Sequence, residues 1–428
     1  MKIAVVGSGI AGLSAAWLIA PHHTVTLFEK ENCLGGHAHT VDVSFSSTRI
    51  PVDTAFVVLN PRNYPHLTAF LQTLHVPITP TSMTLSVSMG RGTFEWSNDM
   101  PIGVFADWRN LFRPSFWRFL IEIRKFNNTA LQELDCGIDP KETLETYLTR
   151  YGYSQALKTR YVFPIAGAIW STSILGAKSC SAHSILGFLK NHGILTPGKN
   201  DPMGWHTVSQ GSMSYVDRIR DDLQKLGASI RTSTPVQSVR RNGAGATVVT
   251  SDGTETFDYV VMATHADTTL KLLADADALE KELLSHFAYE RNDVVLHSDP
   301  DCMPRRRRAW GAWNYSGEER AERGEEKVSL TYWMNRLQHI DPRYPLFVTL
   351  NPRTDLDPKL VHETFVYHHP IYTPEAIHAQ SRLEEVQDKN RTLFCGSYFG
   401  HGFHEDGLVS AIHAVKYLGL TPPWQATV

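Results

Sequence analysis

The first thirty residues alternate between apolar runs and short glycine-rich or polar interruptions. Residues 2–6 are mostly apolar and lead into a glycine, which predicts a short buried strand. Residues 13–19 place apolar side chains at helical spacing, and residues 24–28 predict a second strand that ends at Glu29. The pattern therefore predicts a strand, a turn, a helix, a second strand and an acid.

The turn between these elements has the pattern GxGxxG, formed by Gly7, Ser8, Gly9, Ile10, Ala11 and Gly12. The first glycine allows the tight turn, the second lets a pyrophosphate approach the backbone, and the third lets the helix pack against the sheet. The helix N-terminus offers N–H groups to phosphates, and Glu29 is placed to bind the adenosine ribose. The pattern predicts a dinucleotide site and disfavours NADP, while FAD and NAD both remain open.

Two later segments continue the strand pattern. Strands are predicted at 230–232, 236–240, 247–250 and 259–263, with a turn at Asn242-Gly243. Residues 393–396 predict a strand that ends at glycine, and a helix follows it.

The composition is that of a folded protein of two domains. The chain has 428 residues, of which 42% are hydrophobic and 20% charged, so disorder of the whole chain is excluded. A net charge of −3 gives no reason to expect a nucleic acid partner, and no protein partner is implied. The five cysteines stand apart without a CxxC pair, which is typical of a reducing compartment.

Membrane-spanning segments are not expected. The apolar stretch 3–20 looks like a secretory signal, but three glycines interrupt it and the dinucleotide pattern explains it better. No other segment approaches the roughly 20 apolar residues of a spanning helix. We expect a cytoplasmic protein, either free or bound peripherally at the inner membrane face.

A second glycine pair, Gly35 and Gly36, follows shortly after the ribose acid and Lys30. This spacing resembles the extended fingerprint of FAD proteins in the amine oxidase and phytoene desaturase superfamily. The resemblance implies FAD as the cofactor. Many members follow the pair with Arg or Lys, whereas this chain has His37, so the charge brought to the phosphates is predicted to be weaker and pH-dependent.

The resemblance extends to further segments of the chain. Val236 stands where relatives present a backbone group to the adenine, and Ala263 ends an apolar strand that recurs in two-dinucleotide-fold flavoproteins. Gly396 ends the C-terminal strand, and the helix after it would direct its N-terminus at the flavin. Cofactor contacts are implied there for Phe403, His404, Asp406, Gly407 and Leu408.

Longer strings make the resemblance more specific: residues 164–171, 191–193, 211–212, 304–307, 313–315, 331–337 and 402–408. They resemble a family of flavoproteins, within the same superfamily, that commonly occurs beside cyclopropane-fatty-acid-synthase-like enzymes. Some relatives desaturate methyl-branched fatty acyl chains. The resemblance therefore implies a lipid substrate, which composition alone does not.

The predicted fold class is α/β, with a Rossmann-like FAD-binding domain of the two-dinucleotide-fold type and an inserted α+β substrate domain. The FAD-binding domain is predicted to comprise residues 1–58, 200–290 and 385–428. Residues 59–199 and 291–384 are predicted to form the substrate-binding domain.

Histidines are the candidates for proton transfer. Amine oxidases typically use an aromatic cage and a lysine near the flavin, but this chain has Phe403 at the cage position and no lysine in the comparable strand 293–297. An amine substrate is therefore less favoured, and a base with a pKa near neutrality suits removal of a proton from a carbon chain. The candidate catalytic residues are His297, His401, His404 and Glu405, each with a structural or surface role as the alternative.

Aromatic side chains are candidates for an apolar substrate pocket, with core packing as the alternative: Trp170, Trp313, Tyr332 and Trp333. Residues 332–336 predict a strand. Either Tyr332 and Met334 or Trp333 and Asn335 would then face a ligand.

Two charged segments bear on substrate delivery. Residues 108–125 are basic and aromatic and predict a helix from Pro114, whose apolar face carries Phe116, Phe119, Leu120 and Ile123. That face would either lie on an anionic membrane or cover the substrate domain. Residues 305–308, four arginines, predict a solvated loop or a site for a carboxylate or phosphate head group.

The favoured function is FAD-dependent desaturation of a fatty acyl chain, free or in a phospholipid. A flavin-dependent double-bond isomerase, an amine oxidase and a non-catalytic FAD-binding protein are the alternatives. A covalent flavin is not expected, although His37 and His39 stand as attachment sites to test. No metal is predicted.

Overall fold

The computed structural model of the chain describes residues 1–45, 48–139, 141–170, 173–196, 204–318 and 329–424. Ser171 and the domain boundary at residue 200, both singled out from the sequence, lie outside these ranges. The described strands are β1 (Lys2–Val6), β2 (Thr24–Phe28), β3 (Thr40–Phe45), β4 (Thr48–Asp53), β5 (Ile78–Pro80), β6 (Leu85–Met89), β7 (Phe94–Ser97), β8 (His206–Val208), β9 (Ser229–Arg231), β10 (Val236–Asn242), β11 (Gly245–Thr250), β12 (Gly253–Phe257), β13 (Tyr259–Met262), β14 (Ala288–His297), β15 (Trp313–Gly317), β16 (Ser329–Trp333), β17 (Phe347–Leu350), β18 (Val361–Ile371) and β19 (Thr392–Phe394).

The described helices are α1 (Ile10–Ile19), α2 (Pro65–Thr73), α3 (Pro114–Cys136), α4 (Leu144–Arg150), α5 (Gln155–Leu157), α6 (Phe163–Trp170), α7 (Ile174–Ser179), α8 (Ala182–Asn191), α9 (Met213–Lys225), α10 (Ala266–Leu272), α11 (Ala278–Leu284), α12 (Met334–Leu337), α13 (Pro374–Gln380) and α14 (His404–Lys416). None of these has the length and hydropathy that crossing a bilayer requires.

A parallel sheet of five strands joins distant parts of the chain in the order β19-β13-β1-β2-β9. Its central strand β1 is apolar from Ile3 to Val6 because other elements cover both of its faces. Ile3 and Val5 point into the core that α1 and α14 share, whereas Ala4 and Val6 point to the core on the opposite face. The mixed α/β class predicted from the sequence, with its Rossmann-like sheet, is confirmed.

A second sheet of seven strands lies in the middle of the chain, in the order β18-β14-β17-β16-β15-β6-β7. All its neighbours are antiparallel except β15 and β6. Side chains alternate between its faces, so Val294 and Leu296 enter the largest apolar core, which also contains side chains of α3 to α8.

The strand predicted over residues 332–336 is only partly correct. Strand β16 ends at Trp333, and α12 begins at Met334. The Asn335 side chain donates to the carbonyls of Asp341 and Tyr344 and accepts from the Leu346 N–H. These bonds fold the chain back on itself, so strand alternation does not extend to Met334 or Asn335.

Helix α2 lies on the cofactor side of the molecule, although the sequence assigned it to the substrate domain. Its residues Leu67, Phe70 and Leu71 belong to the same core as β1 and α14. The division of the chain into two domains stays a prediction, and this helix argues for a later first boundary than residue 58.

Gly12 offers a test of how tightly α1 packs against the turn before it. A Cβ at Gly12 would lie 1.9 Å from the Gly7 carbonyl oxygen, whereas a Cβ at Gly187, inside α8, would meet nothing within 4 Å. We expect Gly12→Ala to lower the free energy of unfolding by about 2 kcal/mol, since the turn must shift. Gly187→Ala should leave the free energy of unfolding within about 0.5 kcal/mol of wild type or raise it, because alanine favours a helix more than glycine does. Urea denaturation compares the two variants, and equal effects would contradict this account.

Candidate active site

The glycine turn leaves room where a phosphate would approach. Gly7 has φ of +100°, and a Cβ there would lie 2.8 Å from the carbonyl oxygen of Ala263 at the end of β13. Gly9, in contrast, has nothing within 4 Å of the position of a Cβ. Because the first N–H groups of a helix have no acceptor in the helix itself, the start of α1 presents donors to this open space. The turn fits a dinucleotide pyrophosphate.

Glu29 is buried at the end of β2 and organises this turn. Its carboxylate accepts from the Ser8 N–H at 2.9 Å, from the Ser8 hydroxyl at 2.5 Å and from the Glu31 N–H at 3.0 Å. The Glu29 carbonyl accepts from the Thr234 N–H, which brings the start of β10, and so Val236, beside the acid. Lys30 points outward and pairs with Glu31.

The two glycine motifs lie against each other. The Gly35 N–H donates to the Ser8 carbonyl at 3.0 Å, and a Cβ at Gly36 would lie 3.1 Å from the Gly9 Cα. This contact explains why the second glycine pair follows the acid so closely: side chains there would separate the loop from the turn.

His37 does not carry the pH-dependent charge predicted for it. The residue is half-buried, and burial together with neighbouring histidines holds its pKa well below the usual value, so the imidazole is neutral. The ring lies beside Tyr367, His369 and His265, with centroid distances of 5.1, 5.5 and 6.2 Å. Among the described residues its Nε2 has no hydrogen-bond partner, which fits an atom directed at an absent ligand.

The C-terminal motif starts α14, which packs beside α1. The Asp406 carboxylate accepts from the Phe403 N–H at 2.9 Å, and the Gly396 N–H donates to the Ser410 hydroxyl. A Cβ at Gly407 would lie 2.8 Å from the Ile10 side chain, and Leu408 is fully buried in the shared core. The motif therefore places the N-terminus of α14 next to that of α1.

His404 and Glu405 have different surroundings. The His404 ring stacks on Phe56 with centroids 3.7 Å apart, its Nε2 lies 3.1 Å from the Tyr215 hydroxyl, and burial lowers its pKa to about 3. The Glu405 carboxylate accepts from the N–H groups of His66 and Leu67. Glu405 thus caps α2, which gives it a structural contact at this site.

A cavity lies between the loop after β4 and the inner face of the seven-stranded sheet. It is lined by Thr54, Ala55, Val57, Val294, Tyr332, Val348, Leu350, Tyr367 and His369. Among these residues there is no carboxylate, lysine or arginine. We call this space the sheet cavity. Its volume of about 20 Å³ requires lining side chains to move when a larger ligand enters.

The sheet cavity is bordered by a hydrogen-bonded cluster of Tyr367, Thr54 and His39. The Tyr367 hydroxyl lies 2.7 Å from the Thr54 hydroxyl and 3.0 Å from the His39 Nδ1, and the latter two are 2.9 Å apart. Burial lowers the pKa of His39 and raises that of Tyr367 to about 12. His39 is thus neutral at neutral pH and can accept a proton, while Tyr367 stays protonated.

Strand alternation separates the predicted aromatic and histidine residues. Tyr332 lines the sheet cavity, and Trp313 packs on it with centroids 5.5 Å apart. Trp333 lies on the opposite face against Trp310 and does not line the sheet cavity, so its role in substrate binding stays a prediction.

His297 also points away from the sheet cavity. Val294 lines the cavity three positions earlier, and an odd spacing along a strand reverses the face. The His297 Nε2 lies 2.7 Å from the Thr349 hydroxyl, and its Nδ1 accepts from the Asp299 N–H. Both ring nitrogens are used within the fold, which argues against the catalytic role predicted for this residue.

A second cavity of about 100 Å³ lies at the start of α14. Its lining comprises Asn63, Tyr64, Phe188, Asn191, His192, His401, Phe403, Glu405 and Asp406. Trp170 stands behind it: the indole donates to the His401 carbonyl and its ring packs on Phe188. The structure thus brings His401, Phe403 and Trp170 together, while the His401 side chain is exposed.

The arginine run is partly built into the fold. Glu95 is completely buried and accepts from the N–H groups of Arg305 and Arg306 and from the Arg306 guanidinium at 2.9 Å. The Arg307 guanidinium lies over the ring of Trp310. Arg306 therefore neutralises a buried carboxylate and does not belong to the solvated loop or head-group site predicted from the sequence.

Several residues of the site were missed in the sequence. Asp53 is buried and accepts from Thr40, Ser212 and Gln338, and burial raises its pKa to about 6. Tyr367 and His369 share a strand face with Phe365, an alternation of aromatic residues in β18 that the sequence does contain. The partner Thr54 carries no such signal.

Comparison with known proteins supports a flavoprotein. The sequence profile of the family described as flavin containing amine oxidoreductase matches residues 10–295. A search among curated proteins finds no match.

Similar solved structures extend over nearly the whole chain. They include a CLA-producing fatty acid isomerase from P. acnes, with 15% identity and a TM-score of 0.67 over 97% of this chain and 98% of that one. Cyclohexylamine oxidase from Brevibacterium oxydans IH-35A has 13% identity and a TM-score of 0.69 over 98% and 99%. Putrescine oxidase bound to putrescine has 14% identity and a TM-score of 0.68 over 98% and 99%. These likenesses establish the fold.

The contacts of Glu29 predict the effect of removing its charge. Glu29→Gln should weaken flavin retention about tenfold, because two hydrogen bonds to a charged acceptor hold Ser8 in the turn. Glu31→Gln is the matched control, since the Glu31 side chain is exposed. Flavin fluorescence released on dilution measures retention. Equal retention in both variants would contradict the role given to Glu29.

Burial of Glu405 predicts a pH-dependent stability. Its pKa is raised to about 7 from the ordinary 4.5, so the folded state binds the proton more tightly than the unfolded state. The contribution of protonated Glu405 to the free energy of unfolding is fully present below the ordinary pKa. This contribution is lost as pH rises through the folded pKa, and the total loss is about 3 kcal/mol. Glu405→Gln removes this titration.

Urea denaturation of wild type and Glu405→Gln at about pH 4.5 and about pH 8 measures the effect. The stability of wild type relative to the variant should fall between the two pH values. If wild type and Glu405→Gln differ in free energy of unfolding by the same amount at both pH values, Glu405 does not titrate in this range.

Proposed function

The chain belongs to the flavin containing amine oxidoreductase family and is an FAD-dependent oxidoreductase, and from this premise we propose that its substrate is a fatty acyl chain. The reaction is desaturation, in which a hydride and a proton leave neighbouring carbons of the chain. The observation that carries the proposal is the uncharged lining of the sheet cavity.

The residues that would hold FAD are those around the glycine turn. Gly9 and the start of α1 offer space and N–H groups for the pyrophosphate, and Glu29 is available to the ribose. Bound FAD supplies a two-electron acceptor for the hydride. The N-terminus of α14 offers partial positive charge beside it.

The sheet cavity favours a hydrocarbon over an ammonium group. Five of its residues are aliphatic: Ala55, Val57, Val294, Val348 and Leu350. A protonated amine would lose its hydration there without a carboxylate to pair with, a cost of several kcal/mol. Contact with the rings of Tyr332 and Tyr367 would return about 2 kcal/mol or more, which offsets only part of this cost. An acyl chain has no charged group to desolvate when it enters this cavity, and it gains apolar contacts.

The cluster of Tyr367, Thr54 and His39 provides a route for the proton. Tyr367 faces the cavity, and its hydroxyl remains protonated. The hydroxyl therefore relays a proton from the cavity to the cluster and is not the final acceptor. His39 is neutral and only partly buried, and therefore accepts the proton close to solvent. We assign His39 as the base and Thr54 and Tyr367 as the link to the cavity.

His369 is less suited to act as the base. The Asn292 amide donates to its Nδ1 at 3.0 Å, and the Asn292 carbonyl is fixed by the Asn351 amide. In the neutral imidazole the proton then resides on Nε2, which makes this nitrogen a donor. Burial lowers the pKa of His369 to about 4, so the ring stays neutral.

The fold itself is shared by the fatty acid isomerase and by the amine oxidases. Substrate must therefore be decided by experiment. Anaerobic titration of the FAD-loaded protein with linoleate, cyclohexylamine and putrescine distinguishes the possibilities. We expect loss of the oxidised flavin spectrum with linoleate and a product lighter by two hydrogens. A product of unchanged mass would instead indicate isomerisation, and reduction by the amines alone, or by none of these compounds, would overturn the proposal.

His39→Gln tests the base within this reaction. The rate of flavin reduction should fall about 100-fold, as removal of a general base commonly does, with little change in substrate affinity. In wild type the rate should be constant near neutral pH and should fall below the lowered pKa of His39, where the ring becomes protonated. His22→Gln, at an exposed position, is the control. An unchanged rate in His39→Gln would contradict the assignment.

A further inference from the structure

A group of large apolar side chains is exposed on the segment before and at the start of α3. Trp108 is 63% exposed and Phe112 is 76% exposed. We call this surface the apolar patch, and its residues are Trp108, Leu111, Phe112, Trp117 and Ile121. Such a concentration of exposed apolar side chains within fourteen positions marks a surface that contacts something apolar.

The patch is held in place by the fold beneath it. Trp108 and Phe112 touch edge to face within one 3₁₀ turn, whose first turn is capped by the Asp107 carboxylate. The Trp117 indole donates to the Leu111 carbonyl at 2.9 Å. Ile121 follows Trp117 by one helical turn of α3. The exposed side chains therefore form one surface on an ordered support.

This surface differs from the helix face that the sequence indicated. Phe116 and Phe119 are buried in the large core, and Leu120 and Ile123 pack against it. That face covers the substrate side of the molecule, which was the alternative reading of the sequence. The side chains left outside are those of the preceding turn and the opposite side of α3.

Cations accompany the apolar patch along the chain, and two of them, Arg109 and Arg113, pair with Asp107. Residues 101–125 contain five of them, Arg109, Arg113, Arg118, Arg124 and Lys125, but only two carboxylates, Asp107 and Glu122. Asp107 is buried beneath the patch, and Glu122 accepts from Ser154. The chain as a whole carries a net charge of −3. The patch is thus locally basic on an acidic protein.

We propose that the apolar patch docks this protein on the surface of an anionic phospholipid bilayer. Tryptophan and phenylalanine enter the interface between head groups and acyl chains, and arginine and lysine pair with the phosphates. A second copy of the chain fits this surface less well, because a symmetric pair would bring the same cations against each other. The proposal stands on exposure and charge and does not depend on which substrate the enzyme oxidises.

Vesicle sedimentation of the FAD-loaded full chain tests the proposal. The vesicles are phosphatidylcholine alone or phosphatidylcholine with about 30% phosphatidylglycerol, at low salt and at about 0.5 M salt. We expect binding to the anionic vesicles that weakens in high salt. Trp108→Ser combined with Phe112→Ser should weaken this binding at least about tenfold. Leu175→Ser with Leu226→Ser removes two exposed apolar side chains elsewhere and should bind as wild type does.

Three results would overturn the proposal. Wild type fails to bind either vesicle, the Trp108/Phe112 variant binds as well as wild type, or the control variant loses as much binding. A dimer in sedimentation velocity that the Trp108/Phe112 variant abolishes would assign the patch to a second copy of the chain and would also reject membrane docking. Circular dichroism of each variant verifies that it is folded.

Discussion

The close contact of two glycine-containing segments, the turn 7–12 and the start of α14, at the end of the parallel sheet is the constraint on which the site depends. Gly7 touches the end of β13, Gly12 packs on the Gly7 carbonyl, and Gly407 packs on Ile10. A side chain at any of these positions would push α1 or α14 away from the sheet. Because the contact brings residues near both ends of the chain together, it fixes where two helix N-termini meet and hence where a cofactor can bind.

The part of this arrangement that is local in sequence was predictable. The turn, α1, β2 and Glu29 follow one another within the first thirty residues, and each has a recognisable pattern of glycine, periodicity or charge. Strands β9, β10, β11, β13 and β19 were predicted for the same reason, whereas β12 was not. The family profile agrees with the cofactor that these motifs indicated.

The other half of the site depends on which face of a strand meets which element, and the sequence does not state this. Tyr332 and Trp333 are adjacent and equally aromatic, yet only Tyr332 faces the sheet cavity. His39, Thr54 and Tyr367 meet only because β18 reaches the loop after β4, over 300 residues away. On α3 periodicity identified an apolar face, but packing decided that this face is buried and that the residues beside it remain outside.

A shared property of the histidines links the cofactor side of the site to the substrate side. His37, His265 and His369 are half-buried beside one another and His404 is buried, and burial depresses the pKa of each, so all four are neutral at neutral pH. Mutual repulsion would oppose their protonation further. The region that these histidines occupy is therefore polar but uncharged, and it can orient a ligand through hydrogen bonds without a fixed ion. An uncharged wall of this kind agrees with the acyl substrate that we propose, because the reacting carbons of such a substrate carry no charge.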